Sequence, residues 1–379
     1  MAFGLIMWVL PDAPQYGLIF SSQAARNLSE ASMQYTHLGR TGVVVSRLCL
    51  GTMNFGAQTS EQDSFTIMDT ALDAGINFLD CANVYGHPKE RGLSEEIIGN
   101  WLSQDHTRRE QIVLTTKVHC PMGDGVNQRG LSAYHIRQAC EDSLRRLQTD
   151  RIDVYFMHHM DSGEATPGGK QNFSLPERDL YRPPHRQKNT PWEEILQALE
   201  LLVLQGKVLY IACSNFAAWR IAQLCEKSFA RNSLGPVCEQ SVYNLNNRAI
   251  ELEVIPACRE YGLGVVSWSP LAGGLLAGIL DNTGDGRRSH MSQVIEQHRP
   301  QLKAYETLCN QLGEKPADVA LAWQLQNPVV TAPIVGPRTV EQMTGSLRAL
   351  EIHLDKETLI KLDEIWPGSG GEAPEAYAW

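Results

Sequence analysis

The sequence is short of positive charge. It carries 33 lysines and arginines against 43 aspartates and glutamates, for a net charge of −10. That balance argues against nucleic acid as the main partner, because phosphate binding needs a basic surface. A local basic pocket for one phosphorylated ligand is still compatible with it. The nine cysteines are odd in number, scattered and without a CxxC pair. They read as buried thiols in a reducing cytoplasm, not as a disulfide frame or a zinc site. The histidines show no metal-ligand spacing. There is no internal repeat and no low-complexity tract. No apolar run approaches the ~18 residues that a membrane span requires. The segment MAFGLIMWVLP is apolar, but it has no basic residue before Arg26 and is interrupted by Pro11 and Pro14, so it does not read as a signal peptide. Organised sequence begins near Met33. Residues 1–32 are expected to be an extension, with Met33 an alternative start. A hydrophobic content of 43% with 20% charged residues is that of a soluble globular chain.

From Val45 onward, short β-branched runs alternate with longer stretches whose apolar residues recur at helical spacing. The strand candidates are VSRLCLG, INFLD, IVLTTKV, IDVYFMH, VLYIACS, VCEQS, GVVSWSP and VTAPIVG. Between them lie helix candidates such as DSFTIMDTALDAG, LSEEIIGNWL, HIRQACEDSLRRL, PWEEILQALELLVLQ and ADVALAWQLQ. Helix starts are expected at Ser94 and at Thr190 before Pro191, each followed by acidic residues. Parallel strands need crossover connections, so the alternation predicts a parallel sheet. A dinucleotide-binding fold would place GxGxxG after the first strand. This chain has GTMNFG there, which does not match. Eight strands in this length predict a (β/α)8 barrel over residues 33–379. Residues 161–189 and 271–298 are longer than barrel turns require and are expected to be substrate-side loops. The tail 366–379 is either a third flap or a frayed end.

In such a barrel, polar residues at the C-terminal ends of strands converge on one mouth. The second strand runs through FLDCANVYGH, ending at Asp80 with Tyr85 beyond it. The third carries Lys117, and the fourth ends at His158. A solvated strand end would explain any one of these. Three neighbouring apolar strands ending in Asp, Lys and His are harder to explain that way, because unpaired buried charge is costly. Tyrosine is a poor acid, with an ordinary pKa of about 10. A neighbouring ammonium is expected to lower it and make Tyr85 a usable proton donor. Asp80 would keep Lys117 charged, and His158 would orient a carbonyl oxygen. The set suits protonation of an oxygen that gains negative charge as a carbonyl is reduced.

These motifs resemble the aldo-keto reductase superfamily from about Met33 to residue 350, through YTHLGRTGVVVSRLCLGTMNFG, INFLDCANVYG, TTKV and RIDVYFMHHMD. The resemblance implies Tyr85 as general acid/base, Asp80 and Lys117 as its tuning pair, and His158 as the carbonyl-positioning residue. His159 reads as a packing or loop histidine. The resemblance also implies NADPH/NADP+ contacts at Gly51, Thr52 and Met53 and, on the carboxamide, at Ser214, Asn215 and Gln240. Tyr243 would stack on the nicotinamide ring. Ser269, Pro270, Leu271, Gly273 and Leu275 would line a pyrophosphate loop. Gly336, Arg338, Gln342 and Ser346 would lie around the adenosine end, with Arg338 at the 2′-phosphate. Read alone, SNF is an ordinary strand-to-helix cap and Arg338 a solvated arginine at a helix start. The chain departs from the family pattern at Gly345 and Ser346, where Glu-Asn is frequent, and at Ile279, which replaces a familiar lysine. Arg287 or Arg288 is a substitute for that lost charge. The resemblance thus implies a cytoplasmic NADPH-dependent carbonyl reductase with a small-molecule carbonyl substrate, without nucleic acid or membrane. An insertion bearing Arg178, Arg182 and Arg186 suggests an anionic, nucleotide-linked keto-sugar; a small aldehyde is the rival substrate. The superfamily also includes potassium-channel β subunits, so a cofactor-binding regulatory subunit is the alternative. An unrelated barrel isomerase or lyase using Lys117 would leave Arg338, Gln240 and Ser214-Asn215 unexplained.

Overall fold

The computed structural model describes residues 33–87, 90–161, 190–280 and 291–378. The expected extension at 1–32, nearly all of loop 161–189 with its three arginines, and Arg287 and Arg288 lie outside the described residues. A short antiparallel hairpin comes first, β1 (Tyr35–His37) with β2 (Val44–Ser46). β3 (Cys49–Gly51) and β4 (Phe78–Asp80) begin the barrel. β5 (Gly86–His87) and β6 (Glu90–Arg91) form a small hairpin in the loop after β4. β7 (Val113–Val118), β8 (Ile152–Met157), β9 (Val208–Ser214), β10 (Pro236–Val242), β11 (Gly264–Trp268) and β12 (Val330–Val335) complete the barrel. It closes in the order β3-β4-β7-β8-β9-β10-β11-β12, with every neighbouring pair parallel. This is the (β/α)8 architecture that the alternation predicts.

One expected strand is two. VSRLCLG divides at Arg47, whose guanidinium donates to the Val330 and Thr331 carbonyls. The half before it pairs with β1, and the half after it enters the barrel. The hairpin thereby plugs the N-terminal end of the barrel. Its turn residue Gly39 sits at φ +56, where an added Cβ would lie 2.2 Å from the Val237 carbonyl oxygen, so a side chain there has no room. Leu38 and Val45 join Cys49, Phe78, Val113, Val154, Phe156, Val237 and Val266 in the interior cluster. Each large apolar side chain buried in this way contributes about 1.5–3 kcal/mol.

The helices cover the outside. They include α1 (Glu61–Asp73), α2 (Leu93–Gln104), α3 (Thr107–Glu110), α4 (Ala133–Leu147), α5 (Trp192–Leu204), α6 (Ala218–Phe229) and α7 (Val254–Tyr261). α8 (Ser292–Gln297) falls inside the span read as a substrate-side loop, and α9 (Arg299–Leu312) and α10 (Pro316–Gln326) follow. α11 (Val340–Ser346), α12 (Lys356–Ile365) and α13 (Glu375–Ala378) end the chain. Both expected helix starts are displaced. The cap of α2 is Gly92 in a left-handed conformation. Ser94 lies inside the helix, where its hydroxyl donates to the Thr52 carbonyl at 2.9 Å. α5 starts after Pro191, and the Thr190 hydroxyl donates to Asp161. The tail is tied down: Ala373 N–H donates to the Leu252 carbonyl, and Glu372 pairs with Arg259.

Candidate active site

Successive side chains of a strand point to opposite faces, so one register places every second residue inside the barrel. Phe78, Val113, Val154, Phe156, Ala212, Cys238 and Val266 face inward. Two residues onward, the same parity brings Asp80, Thr115, Ser214, Gln240 and Trp268 to the mouth, with Lys117 one step beyond Thr115 and His158 just past β8. The structure brings all four expected catalytic candidates together. Lys117 Nζ lies 2.7 Å from Asp80 Oδ1, 2.7 Å from Oδ2, 2.7 Å from the Cys81 carbonyl and 3.3 Å from the Tyr85 hydroxyl. Lys117 is fully buried and Asp80 nearly so. The rings of Tyr85 and His158 form a T-shaped pair at a centroid distance of 6.0 Å.

Local structure fixes each member. The Tyr85 carbonyl accepts the Gly92 and Ser94 amides at the start of α2, so helix-terminal donors that need partners anchor the tyrosine backbone. Asp80 Oδ1 also accepts from Thr115 Oγ1 at 3.1 Å and from Gln240 Nε2 at 2.8 Å. The His158 carbonyl accepts Asn215 Nδ2 at 3.1 Å, and its Nδ1 lies 3.7 Å from Cys120 Sγ. That thiol leaves Nε2 for a ligand.

The electrostatics depart from the expectation in one respect. Burial pushes the Tyr85 phenol up to about 12, and the Lys117 ammonium opposes this only in part. The lowered tyrosine pKa expected from the sequence is not what this chain has by itself, because desolvation outweighs the attraction of a lysine already paired with Asp80. The phenol keeps its proton at neutral pH. Burial disfavours the Lys117 charge, yet Asp80 and then Tyr85 hold its pKa above the usual lysine value. Burial, then Lys117, His159 and His119, push His158 well below the usual histidine range. It is therefore a neutral imidazole, able to donate or accept a hydrogen bond.

The expected cofactor residues divide into those at the mouth and those turned away. Asn215 sits at φ 61. Its Nδ2 donates to Ser214 Oγ and its Oδ1 accepts the Trp268 indole N–H at 3.0 Å. Met53 is 48% exposed at the end of β3. Gly51 is packed so closely that an added Cβ would meet Ile334 Cγ2 at 2.5 Å. In the loop after β11, Ser269 Oγ accepts the Gly273 amide, and the Ser269 and Pro270 carbonyls accept from Asn244 and Gln324. The Leu271 carbonyl takes the Gly274 amide. A Cβ added at Gly273 or Gly274 meets nothing within 4 Å. This leaves open space against a backbone held in place from behind, which fits a bulky anionic group. Past β12, the Gly336 carbonyl accepts Asn54 Nδ2. Arg338 is exposed, and its backbone amide is capped by Gln342 Oε1. The described residues therefore have the open space and the fixed backbone that a nicotinamide dinucleotide would need.

Four expectations need correction. Tyr243 is 1% exposed; its ring lies against Trp323 and its hydroxyl donates to Glu251. Tyr243 lies just past the end of β10, where packing against Trp323 buries its ring and leaves no face to a ligand. Trp268, at the inward-facing end of β11, stands at the mouth instead. Leu275 has its side chain in the core and its amide on the Ala272 carbonyl. The Ser346 hydroxyl turns back to the Met343 carbonyl. The Thr52 hydroxyl is committed to the Asp80 carbonyl, reinforced by Ser94. Ile279 lies in the core, 4% exposed. Sequence reasoning missed Trp268 and Thr115, although the alternation of β11 and β7 contains both. Nothing in the sequence flags the Gln240–Asp80 bond.

Among the described residues no group of three or more His, Cys, Asp or Glu could hold a metal, and no helix is long and apolar enough to cross a membrane. Residues 47–367 match a family model described as the aldo/keto reductase family. The chain is 52% identical over 352 residues to the uncharacterized oxidoreductase YrpG of Bacillus subtilis (strain 168), across 92% of this chain and 100% of that one. It is 30% identical over 347 residues to a probable voltage-gated potassium channel subunit beta of Oryza sativa subsp. japonica, covering 88% and 96% of the two chains. A protein of the same description from Arabidopsis thaliana is 30% identical over 363 residues, covering 91% and 100%.

Proposed function

The chain belongs to the aldo/keto reductase family and is an oxidoreductase; from that premise we propose that it reduces an aldehyde or ketone with NADPH, Tyr85 supplying the proton. The observation that carries this reading is the Lys117 ammonium held between Asp80 and Tyr85 at 2.7 and 3.3 Å. When bound, a nicotinamide cofactor supplies the hydride. The protein's own part is to place a carbonyl oxygen between the Tyr85 hydroxyl and His158 and to stabilise the charge that develops there. Tyr85 keeps its proton until that oxygen becomes basic, then releases it. The phenolate left behind faces Lys117, which Asp80 keeps charged and in place. Ser214, Asn215 and Gln240 would hold the carboxamide, Trp268 would wall the ring, and Arg338 would meet the 2′-phosphate. Arg178, Arg182 and Arg186 favour an anionic keto-sugar as substrate, since arginine pairs well with phosphate.

A second reading draws on the two plant relatives named as channel β subunits: a regulatory protein that retains its cofactor. The experiment is NADPH oxidation by wild type and Tyr85→Phe with an activated aldehyde, a quinone and a nucleotide-linked keto-sugar, with cofactor binding followed by fluorescence. Turnover that falls by orders of magnitude in the variant, with binding intact, supports the reductase and ranks the substrates. Tight binding without turnover favours the regulatory reading. No binding overturns both.

A further inference from the structure

We propose that His159 is a positioning residue for the carbonyl-binding imidazole: it lies flat against His158 and, braced by His119, holds the plane in which His158 meets its ligand. This rests on the reading above, in which His158 faces the carbonyl oxygen. The rings of His158 and His159 are 4.9 Å apart and only 5° from parallel. β8 ends at Met157, so strand alternation no longer sends the two side chains to opposite faces. His119, the first residue beyond β7, stands edge-on to His159 at 5.5 Å and 66°.

The backbone around the stack is already fixed. His158 N–H donates to the Val118 carbonyl, and the His119 carbonyl accepts the Gly130 amide. His119 itself sits at φ 148, a conformation that side-chain-bearing residues rarely adopt and that tends to persist where the surroundings demand it. What the backbone does not fix is the rotation of the His158 ring. Its hydrogen-bonding contact is the Cys120 thiol at 3.7 Å, a weak partner, and the Tyr85 ring stands 80° from parallel at the longer centroid distance of 6.0 Å. The parallel face of His159, at 4.9 Å, is the nearest aromatic restraint on the ring plane. An offset aromatic pair favours its stacked arrangement by a factor of roughly 2–10 in population.

The stack also depends on being uncharged. Lys117, Tyr85, Cys120, His159 and His119 surround His158, and Lys117 reaches His159 as well. Asp161, His135 and His159 act on His119. Burial leads the causes that disfavour a proton on each ring, and the nearby ammonium adds to it at His158 and His159. Neutral rings stack without mutual repulsion, and a neutral His158 can share a proton with a carbonyl oxygen.

The test compares wild type, His159→Leu and His159→Phe as full-length, 15N-labelled proteins loaded with NADP+. Long-range 1H–15N spectra report the His158 ring, and kcat and KM are measured with 4-nitrobenzaldehyde and NADPH. Leucine fills the space without a flat face; phenylalanine restores the face without the imidazole nitrogens. The expected result is a displaced or broadened His158 resonance in the leucine variant, with kcat/KM lowered roughly 3- to 10-fold at unchanged NADPH affinity. The phenylalanine variant recovers both. Equal behaviour of the two variants, whether both like wild type or both impaired, overturns the proposal. If wild type does not reduce the aldehyde, the reductase reading has failed on this substrate while the resonances still decide the positioning role. Should the leucine variant not fold, His119→Leu, which removes only the brace, takes its place with the same two outcomes.

Discussion

Gln240 donates its side-chain amide to Asp80 at 2.8 Å, across 160 residues of chain. The bond fixes which way the amide faces: nitrogen on the carboxylate, oxygen left for a ligand. It also makes the candidate carboxamide clamp part of the same network as Lys117. We predict that Gln240→Leu weakens NADPH binding and lowers kcat together, because Asp80 Oδ1 loses one of its three donors. A hydrogen bond to a charged group is worth about 1.5–3 kcal/mol, or roughly a 10- to 150-fold effect. Titration fluorescence and steady-state kinetics check it; a change confined to cofactor affinity would show that the bond does not matter to the tetrad.

Asp80 and Lys117 form a buried pair, and its two halves are unequal to the whole. Removing one partner leaves an uncompensated charge, at a cost of about 3–5 kcal/mol. Asp80→Leu and Lys117→Met are each expected to lower the urea midpoint strongly, whereas the double variant loses less than the sum of the two. Urea denaturation in a double-mutant cycle measures the difference, and strict additivity would contradict the pairing.

Glu239 is fully buried behind Asn215 and Phe216. Its Oε1 accepts from Phe216 N–H and Ser241, and among the described residues its Oε2 makes no hydrogen bond of ordinary geometry. Burial pushes it from an ordinary 4.5 up to about 7, against the pull of Ser241, Cys213 and the backbone amides. A carboxyl raised in the folded state contributes most below its unfolded pKa, and that contribution is lost as pH rises through about 7. The unfolding free energy of wild type, from urea melts, should therefore fall between pH 5 and 8 by more than that of Glu239→Gln, a difference on the order of 3 kcal/mol. His119, lowered to about 4, acts in the opposite sense on the acid side but is common to both proteins. Parallel pH profiles would contradict the buried, uncompensated carboxyl.

Trp268 and Tyr243 offer a direct test of the corrected aromatic wall. Trp268→Ala is expected to weaken NADPH binding about 10-fold or more, with little loss of stability. Tyr243→Phe should cost about 1 kcal/mol in stability through its lost bond to Glu251, with binding unchanged. Fluorescence binding and urea melts on the same preparations separate the two effects.

Arg338 has an exposed side chain at the start of α11. If it meets a 2′-phosphate, Arg338→Ala raises the Kd for NADPH roughly 10-fold while leaving that for NADH alone, and the gap narrows at high salt. Equal weakening of both nucleotides would remove the reason for preferring NADPH.

What the sequence alone determined is what repeats along the chain. Eight apolar runs separated by helical stretches required a parallel sheet closed by crossovers, and the polar ends of three neighbouring strands marked the mouth at Asp80, Lys117 and His158. Those are local signals, carried by side-chain alternation and helical spacing. Tertiary structure decided what depends on facing direction and distance across the barrel. Tyr243 and Trp268 are both aromatic residues around strand ends, and only the tertiary packing buries one against Trp323 and leaves the other at the mouth. The pKa of Tyr85 was likewise out of reach, because the balance between a nearby ammonium and desolvation depends on how completely the barrel excludes water. The Gln240–Asp80 bond and the stacked imidazoles of His158 and His159 arise where separate strand ends converge, and no pattern along one strand encodes which neighbour closure of the barrel will supply.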